Sequence, residues 1–469
     1  MAARQAQAAA AKTIVQSHGV SNVQGIGFAV LLGFLFMAFS RVFDMYLTRF
    51  HIPGISERLM VLVVLVSGAF WRPFQTSIGK RLLWLTIWML IGIPFSMWRH
   101  DSFGIITTQW WASMVVFVAL GGLIGDFRQY RHSTVTLAVA IFALSLFCLH
   151  FGTMATGRLF MGNRSRFANP NEMAQAMLIG IPFWLALAKR SSSLIGKLLA
   201  ACVLVVMMYI IAKTGSRGAL VSFVALYLVM LYHASAAGRA GLLLAGSLSI
   251  CAAIAFLPSA LKDRYKTLFA EDKPEIEMAD DGRLASAVTS TESREHLLRQ
   301  SLILTATHPI FGVGVGEFMV AENALAVSQG KKRGSWLGTH NSFMQVASET
   351  GLPGVFLFVS IFVLALKNSH SLYRATRDHP ALQPISTQAE ALFLSLICLT
   401  ITDLSIHAAY TMLLPVLAGL TISLEFTARP LIEEARRSQA VVPAPVHPVR
   451  RVFPTRAPSS GPAALPSGA

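Results

Sequence analysis

The chain of 469 residues is 54% hydrophobic and only 13% charged, whereas about 25% of the residues of a soluble domain are charged. This composition excludes a string of soluble domains and indicates one all-α polytopic membrane protein. The net charge of +16 fits Lys and Arg residues that set topology and meet anionic lipid, although a polyanionic ligand would also account for part of it. The basic residues are scattered among apolar runs, which argues against a nucleic-acid-binding face.

The amino-terminal segment, residues 1–22, is Ala- and Gln-rich, and no small-residue cleavage site follows the first apolar run, so we expect no removable signal peptide. A transmembrane domain is predicted over 23–429. Its apolar runs lie close to the ~20 residues that cross a bilayer, which predicts about twelve transmembrane helices. The predicted spans are 24–40, 58–71, 82–98, 104–125, 133–151, 172–188, 194–212, 217–233, 240–257, 342–366, 388–407 and 410–427.

The short loops between these spans indicate their orientation. With the amino terminus inside, the inside segments carry about twice as many Lys and Arg residues as the short outside loops, as the positive-inside rule requires. Both termini are therefore expected in the cytoplasm and the long segment 259–340 on the outer face. The tail 430–469 is rich in Pro, Ala, Ser and Arg, which predicts a disordered cytoplasmic segment.

The long outer segment 259–340 contains two local patterns. From Thr291 the sequence predicts an amphipathic helix at the membrane surface. The side chains predicted to share its apolar face are Leu297, Leu298, Ser301, Leu302 and Thr305. Further on, three glycines alternate over 312–316 with no strand before them, so we expect a tight backbone turn there and no nucleotide-binding loop.

Four arginines are predicted to lie together on the outer face. Arg164 and Arg166 precede the helix-start signal 169–172 (Asn-Pro-Asn-Glu), Arg217 begins a predicted span, and Arg294 lies on the amphipathic helix. A single arginine at such a place is most often solvated or reaches up to lipid headgroups. A planar guanidinium also binds phosphate through two hydrogen bonds, so the group is a candidate anion site.

Two further residues are candidates for catalysis. His340 lies where the long segment meets the next span, and an imidazole with an ordinary pKa of about 6.5 is suited to accept a proton near neutral pH. Asp403 lies in an apolar run, where an ionised carboxylate is costly unless it is paired. Asp403 is expected either to orient His340 or an active-site arginine, or to form a structural pair with His407 one helical turn away.

The spacing of the His and Cys residues predicts neither a metal site nor a disulfide. His308, His340 and His407 lack a compact ligand spacing, so no metal site is expected. The cysteines all fall inside apolar runs with no metal spacing, and no disulfide is expected. They are Cys148, Cys202, Cys251 and Cys398.

The sequence resembles the O-antigen ligase family, which shares its domain with O-antigen polymerases. His340-Asn341, followed after nine residues by Gly351 and after two more by Gly354, is similar to the family's His-[Asn/Ser/Gln]-x9-Gly-x2-[Gly/Thr/Tyr] motif. Three further stretches resemble recurrent family segments: 167–172 (Phe-Ala-Asn-Pro-Asn-Glu), 216–219 (Ser-Arg-Gly-Ala) and 308–316 (His-Pro-Ile-Phe-Gly-Val-Gly-Val-Gly). Altogether, the resemblance covers roughly residues 160–425.

This resemblance implies a membrane-embedded glycosyltransferase in lipopolysaccharide biosynthesis, with its active site on the periplasmic side of a bacterial inner membrane. The donor would be a glycan on undecaprenyl pyrophosphate, the acceptor a sugar hydroxyl of the lipid A core, and no metal or other cofactor would be needed. By the resemblance, Arg217 and Arg294 match pyrophosphate-binding arginines and His340 the general base. Asp403 matches a functional acidic residue by position alone. Attack opposite the leaving pyrophosphate predicts inversion.

Two alternatives remain open from the sequence. The first shares the donor site and differs in the acceptor: an O-antigen or exopolysaccharide polymerase, or a ligase that transfers the glycan to protein. The second is a transporter of lipid-linked glycans. A transporter favours charged residues near the bilayer midplane and inverted repeats, whereas the candidate residues here lie at the outer ends of spans and no repeat is visible, so transfer is favoured.

Overall fold

The computed structural model describes residues 22–41, 52–155, 158–161, 169–256 and 282–440, and these are mostly helical. One short hairpin pairs β1 (Thr153–Ala155) antiparallel with β2 (Arg158–Phe160). The helices are α1 (Asn22–Ser40), α2 (Ile52–Val66), α3 (Ser77–Gly92), α4 (Arg99–Ile105), α5 (Trp111–Leu123), α6 (Phe127–Phe151), α7 (Pro170–Arg190), α8 (Leu194–Lys213), α9 (Arg217–His233), α10 (Ala236–Phe256), α11 (Gly282–Thr307), α12 (Phe318–Ser328), α13 (Ser342–Thr376), α14 (Gln383–Asp403) and α15 (Leu413–Ala440).

Each of the twelve predicted spans falls on one or more of these helices. Six helical segments of the described chain are long and apolar enough to cross a membrane, which makes this a multi-pass membrane protein. The count of twelve remains a prediction. The six segments are Ser77–Phe95, Arg99–Leu123, Phe127–Phe151, Leu194–Lys213, Ser342–Thr376 and Pro380–Asp403.

The centre of the bundle is formed by α7 and α14, whose side chains are largely buried. Polar groups pair across this contact, as they must where water is excluded. Ser395 Oγ donates to the carbonyl oxygen of Ile179 at 2.8 Å, and Gln175 Nε2 donates to Asp403 Oδ1 at 2.7 Å. The Gln175–Asp403 bond joins the first turns of α7 to the end of α14, next to the candidate site.

Hydrogen bonds and an ion pair join described segments that the sequence predicts on the same side of the membrane. On the predicted outer side, Arg158 Nε donates to the carbonyl oxygen of Thr214 at 2.7 Å, which joins the hairpin to the α8–α9 turn. On the predicted inner side, Arg72 Nη2 donates to the carbonyl oxygen of Ile124 at 2.6 Å, and Lys189 pairs with Glu390 at 3.0 Å. These contacts are compatible with the predicted alternation of loops, which stays a prediction.

The leucines of the predicted surface helix α11 are divided between buried and exposed positions. Leu297 and Leu304 are buried against Val313 and Phe318, so the helix packs on the glycine turn and on α12. Two leucines expected on the same apolar face, Leu298 and Leu302, are 41% and 54% exposed. Exposed leucines on one face are compatible with a helix that lies on a membrane surface, so the predicted amphipathic face stays a prediction.

Two helix ends differ from expectation. The eleventh span was predicted over 388–407, but α14 ends at Asp403, so this carboxylate lies at a helix end and not deep within the run. Helix α15 continues past the predicted start of the tail at 430 and ends at Ala440. The remaining tail, 441–469, lies outside the described residues, as do residues 1–21 and the first part of the predicted long loop, 259–281.

Candidate functional site

The histidine singled out from the sequence stands immediately before α13, at the outer-predicted end of the bundle. Asn341 is the N-cap of that helix, and its Oδ1 accepts hydrogen bonds from the backbone N–H groups of Phe343 and Met344 at 3.0 and 3.1 Å. This explains why an amide or hydroxyl side chain follows the histidine, since such side chains satisfy the first N–H groups of a helix. The cap fixes His340 to the positive end of the helix dipole.

The imidazole of His340 is half-buried and lies near enough to Arg294 and Arg158 for their positive charges to act on it. Burial first, and then the positive charges of Arg294 and Arg158, lower the pKa of His340 to about 4. His340 is therefore neutral near pH 7 and able to accept a proton. Its backbone φ of 51° lies in the left-handed region, a costly conformation that is frequent at functional sites.

Arg158 is the site residue that the sequence did not single out. In addition to the bond to Thr214, its Nη2 donates to Asn171 Oδ1 at 2.8 Å. Asn171 belongs to the helix-start signal of α7, in which Asn169 Oδ1 accepts the Asn171 N–H at 2.9 Å, as expected for a cap. The only signal for Arg158 was its position in an outer loop with Arg164 and Arg166, because the hairpin that turns it toward His340 has no clear sequence pattern.

The other predicted arginines fall into two groups. Arg294, on α11, lies near enough to His340 for its positive charge to lower the pKa of the imidazole. Arg217 begins α9 three residues after Thr214, and the next residue, Gly218, packs so closely on Ser405 that a Cβ atom there would meet its hydroxyl. Arg217 therefore lies in the same end of the bundle as Arg158. Arg164 and Arg166 lie outside the described residues, so their predicted role stays a prediction.

A second histidine supports the segment that carries His340. The Nδ1 atom of His407 accepts the Thr339 backbone N–H at 3.2 Å and lies 3.1 Å from Thr339 Oγ1. Gly338 packs on the same ring, and a Cβ atom at this position would contact it. Burial, and then the proximity of His340, lower the pKa of His407 to about 4. His407 is thus a neutral hydrogen-bond acceptor beneath the loop.

Asp403 does not form the expected pair with His407. Its Oδ1 accepts a hydrogen bond from Gln175 Nε2, and its carboxylate also faces Ser342. Ser342 Oγ donates to the carbonyl oxygen of Ile406 at 2.9 Å. The pair with His407 was predicted from i,i+4 spacing, but α14 ends at Asp403 and the chain then leaves the helix. The contacts of Asp403 place it beside the first turn of α13.

The motif glycines mark a break in α13. Gly351 has φ 73° and ψ −174°, which are not helical values. A Cβ atom at Gly351 would collide with the carbonyl oxygens of Pro309 and Ile310, and Leu352 N–H donates to Pro309 O at 2.8 Å. The break divides α13 into a short outer piece that follows His340 and a long inner piece. The nine-residue gap in the motif is therefore the length of the outer piece.

Glu349, on that short outer piece, is held by the glycine turn. The carboxylate is completely buried and accepts the backbone N–H groups of Gly316 at 2.9 Å and Phe318 at 3.4 Å. Gly312, Gly314 and Gly316 all have positive φ values, from 68° to 112°. The tight turn predicted for these glycines is confirmed, and its N–H groups bind a side chain of the protein.

Aromatic stacking and a hydrogen bond anchor the same turn to α3. The ring of Phe311 stacks on Phe95 and Trp88 with ring centroids 4.2 and 5.0 Å apart, respectively. Trp88 Nε1 donates to the carbonyl oxygen of Thr350 at 2.9 Å. Close to the break, Gly354 packs against Thr350, where a Cβ atom would meet the threonine hydroxyl. The outer piece of α13 is thus held rigidly on several sides.

Three helices begin at this site: α7, α9 and α13. Their N-terminal ends carry partial positive charge, which adds to Arg158, Arg217 and Arg294. Within the described residues, no group of three His, Cys, Asp or Glu side chains is placed to hold a metal ion. The arrangement is suited to bind an anion beside a neutral imidazole, at one end of a multi-pass membrane helix bundle.

Part of the chain that contributes to this site is similar to a known protein family. Residues 200–359 match the family model described as O-Antigen ligase. The match contains Arg217, Arg294, His340 and the motif glycines, and it confirms the resemblance found in the sequence. This part of the chain is therefore similar to the O-antigen ligase family, whose members are membrane enzymes that transfer glycosyl groups. No curated protein matches the chain.

Proposed function

We propose that the protein is a glycosyltransferase that moves a glycan from a polyprenyl pyrophosphate, such as undecaprenyl pyrophosphate, to a sugar hydroxyl of an acceptor such as the lipid A core. The observation that carries the proposal is a neutral His340 within the electrostatic influence of Arg294 and Arg158. The family match to residues 200–359 supports glycosyl transfer. The outer end of an inner-membrane bundle, facing the periplasm, is the proposed place of reaction.

The arginines bind and stabilise the leaving group. As the glycosidic C–O bond breaks, negative charge grows on the pyrophosphate. Guanidinium groups and helix N-termini that already point at this position stabilise that charge without reorganisation. Arg294 and Arg158 lie near His340, and Arg217 begins α9 at the same end of the bundle. Arg164 and Arg166 are proposed to extend this anion site.

His340 is the proposed general base. The acceptor hydroxyl oxygen forms a new bond to the anomeric carbon, the bond from that carbon to pyrophosphate breaks, and the hydroxyl proton passes to the imidazole. Attack from the face opposite the leaving group gives inversion. The low pKa of the free site keeps His340 deprotonated. The negative charge of a bound pyrophosphate raises that pKa and makes the imidazole a stronger base during the reaction.

Asp403 is proposed to position this machinery. It is bound by Gln175 and faces Ser342, the first residue of α13, two positions after His340. A carboxylate at that place orients the start of the helix and therefore the imidazole that precedes it. This assigns Asp403 a role that acts through α13, in contrast to the direct contact with His340 considered from the sequence.

A reconstituted transfer assay tests the proposal. The purified protein is incubated with a glycan on undecaprenyl pyrophosphate and, in separate reactions, with lipid A core, with a second lipid-linked glycan or with an acceptor protein. We expect a glycoconjugate in one of these reactions and release of the polyprenyl pyrophosphate. His340→Ala should abolish transfer, whereas Arg99→Ala, at the start of α4, should not. No consumption of the donor with any acceptor, or normal turnover by His340→Ala, would contradict the proposal.

A further inference from the structure

The segment between α12 and α13 carries an exposed aromatic side chain four residues before His340. This connecting strap, residues 329–341, has no helix or strand of its own. Trp336 within it is 49% exposed, although tryptophan is usually buried for the most part. A chain of four residues spans at most about 14 Å, so the indole lies within reach of an oligosaccharide bound at His340.

The backbone of the strap is fixed on both sides of Trp336. Ser335 N–H donates to the buried carboxylate of Glu322 at 2.9 Å, and Gly334 N–H donates to Asn323 Oδ1 at 2.9 Å. On the other side, Thr339 N–H binds His407. These bonds hold the strap between α12 and the α14–α15 connection, so the exposed indole is carried by an ordered support.

Trp336 adopts an unfavourable backbone conformation. Its φ is 54°, in the left-handed region, which costs a residue with a Cβ about 1–2 kcal/mol. Glycine would adopt this conformation without that cost, and the strap does contain glycine at 330, 334 and 338. A bulky aromatic residue at the position that favours glycine indicates that the side chain serves a purpose other than folding.

A run of three basic residues ends three positions before Trp336. The run Lys331-Lys332-Arg333 is exposed, and Lys331 Nζ lies 3.5 Å from His296 Nε2 on α11, the helix that carries Arg294. The surface thus combines a flat apolar face, cations on one side and the proposed base on the other. An aromatic face packs on the C–H face of a sugar ring, and cations bind phosphate groups.

We propose that Trp336, with Lys332 and Arg333, forms a subsite for an anionic acceptor glycan, specifically a phosphorylated sugar chain. The inference rests on the proposed function, because the hydroxyl deprotonated by His340 must belong to a sugar that lies beside it. The indole stacks on that sugar or its neighbour, and the two cations bind phosphate substituents. The subsite sets acceptor preference and leaves donor binding to Arg217, Arg294 and Arg158.

A binding measurement without donor tests the subsite separately from catalysis. The full-length protein in detergent is titrated calorimetrically with a phosphorylated core oligosaccharide from which the lipid has been removed, and with the same oligosaccharide after phosphatase treatment. We expect Trp336→Ala to weaken binding of the phosphorylated form about three- to ten-fold. Lys332→Ala/Arg333→Ala should weaken binding of the phosphorylated form and leave the dephosphorylated form unchanged.

Two controls separate recognition from folding and from membrane anchoring. Trp336→Gly removes the indole together with the backbone cost, so binding should fall while thermal stability stays equal or rises. Trp98→Ala removes a tryptophan that is 52% exposed at the same end of the bundle, and it should bind the oligosaccharide like the wild type. Because the probe carries no lipid, an interfacial anchor predicts equal affinity for all variants. Equal affinities, or no binding by the wild type, would overturn the subsite even if transfer activity is found.

Discussion

The backbone nitrogen of Gly316 lies 2.9 Å from Oε2 of Glu349, and this bond joins the glycine turn to the outer piece of α13. The carboxylate also accepts the Phe318 N–H, and Gln345 Nε2 lies 3.5 Å from it. Gln345 Oε1 in turn accepts the Ala409 N–H at 3.1 Å. The helix turn that follows His340 is therefore bound on one side by the turn 312–316 and on the other by the chain after α14.

Glu349→Ala should destabilise the protein and lower transfer activity. A buried N–H that loses its acceptor costs about 1–3 kcal/mol, and Gly316 N–H is such a donor. Thermal unfolding of the purified protein measures the loss. The matched control is Glu425→Ala, which removes a more exposed carboxylate that pairs with Arg429 and should cost about 0.5 kcal/mol or less. Equal stability of the two variants would show that the Gly316–Glu349 bond contributes little.

Gly351→Ala tests the break in α13. The residue would need φ 73°, and its Cβ would collide with the carbonyl oxygens of Pro309 and Ile310. The left-handed conformation alone costs about 1–2 kcal/mol, so the melting temperature should fall and activity with it. Gly104→Ala is the control, because this helical glycine has open space around it and alanine should stabilise α4 by about 0.5–1 kcal/mol. A melting temperature for Gly351→Ala at or above that of wild type would contradict the proposed break.

Helix α13 shows which features of this site the sequence predicts and which it does not. The spacing from His340 to Gly351 was visible in the sequence, and so was the capping residue Asn341. The purpose of the spacing was not visible, because the break packs against Pro309 and Ile310, which lie 42 and 41 residues before Gly351 in the chain. Hydropathy located the helices well because apolar length is a local property. Hydropathy could not identify the segment that packs against the break at Gly351.

Arg158 illustrates a second limit of prediction from the sequence, which concerns the direction in which a side chain points. Its position in an outer loop was evident, but β1 and β2 are three residues each, too short for a pattern of alternating side chains. Its direction is set by the bonds to Thr214 and Asn171 from two other elements. Asp403 was likewise found as an unusual residue, whereas its partner Gln175 lies 228 residues away. Long-range polar partners leave no local signal in a single sequence.

Arg158→Ala should shift the pH dependence of transfer. The positive charge of Arg158 is one of the causes that lower the pKa of His340 to about 4, so its removal raises that pKa. His340 must be neutral to act as the base, and the acidic limb of kcat/KM should therefore move to higher pH. The measurement is kcat/KM from pH 4 to pH 7 for the wild type, Arg158→Ala and the control Arg239→Ala at the opposite end. An acidic limb that stays in place, or moves to lower pH, would contradict the assigned charge interaction.

Asp403→Asn and Asp403→Ala together test the positioning role. Asparagine keeps an oxygen that can accept the Gln175 N–H group, so the protein should remain folded and lose at most about 1 kcal/mol. Alanine leaves Gln175 without this acceptor and should cost about 1–3 kcal/mol. If Asp403 acts by holding the start of α13, the asparagine variant should keep most of the wild-type kcat. If the negative charge itself is required, kcat should fall in both the asparagine and the alanine variant. Melting temperature and kcat are measured side by side.

His340→Asn should remove the base while preserving the backbone. The residue has φ 51°, and asparagine tolerates this left-handed conformation better than most residues. Its amide cannot accept a proton near neutral pH, so kcat should fall by about 10²–10⁴. The dissociation constant for the polyprenyl-pyrophosphate donor should change by only a few-fold, because Arg217, Arg294 and Arg158 remain. The two values are obtained from single-turnover transfer and from donor titration of the same preparation. A large loss of donor affinity with an unchanged rate at saturation would assign His340 to binding and leave another group as the base.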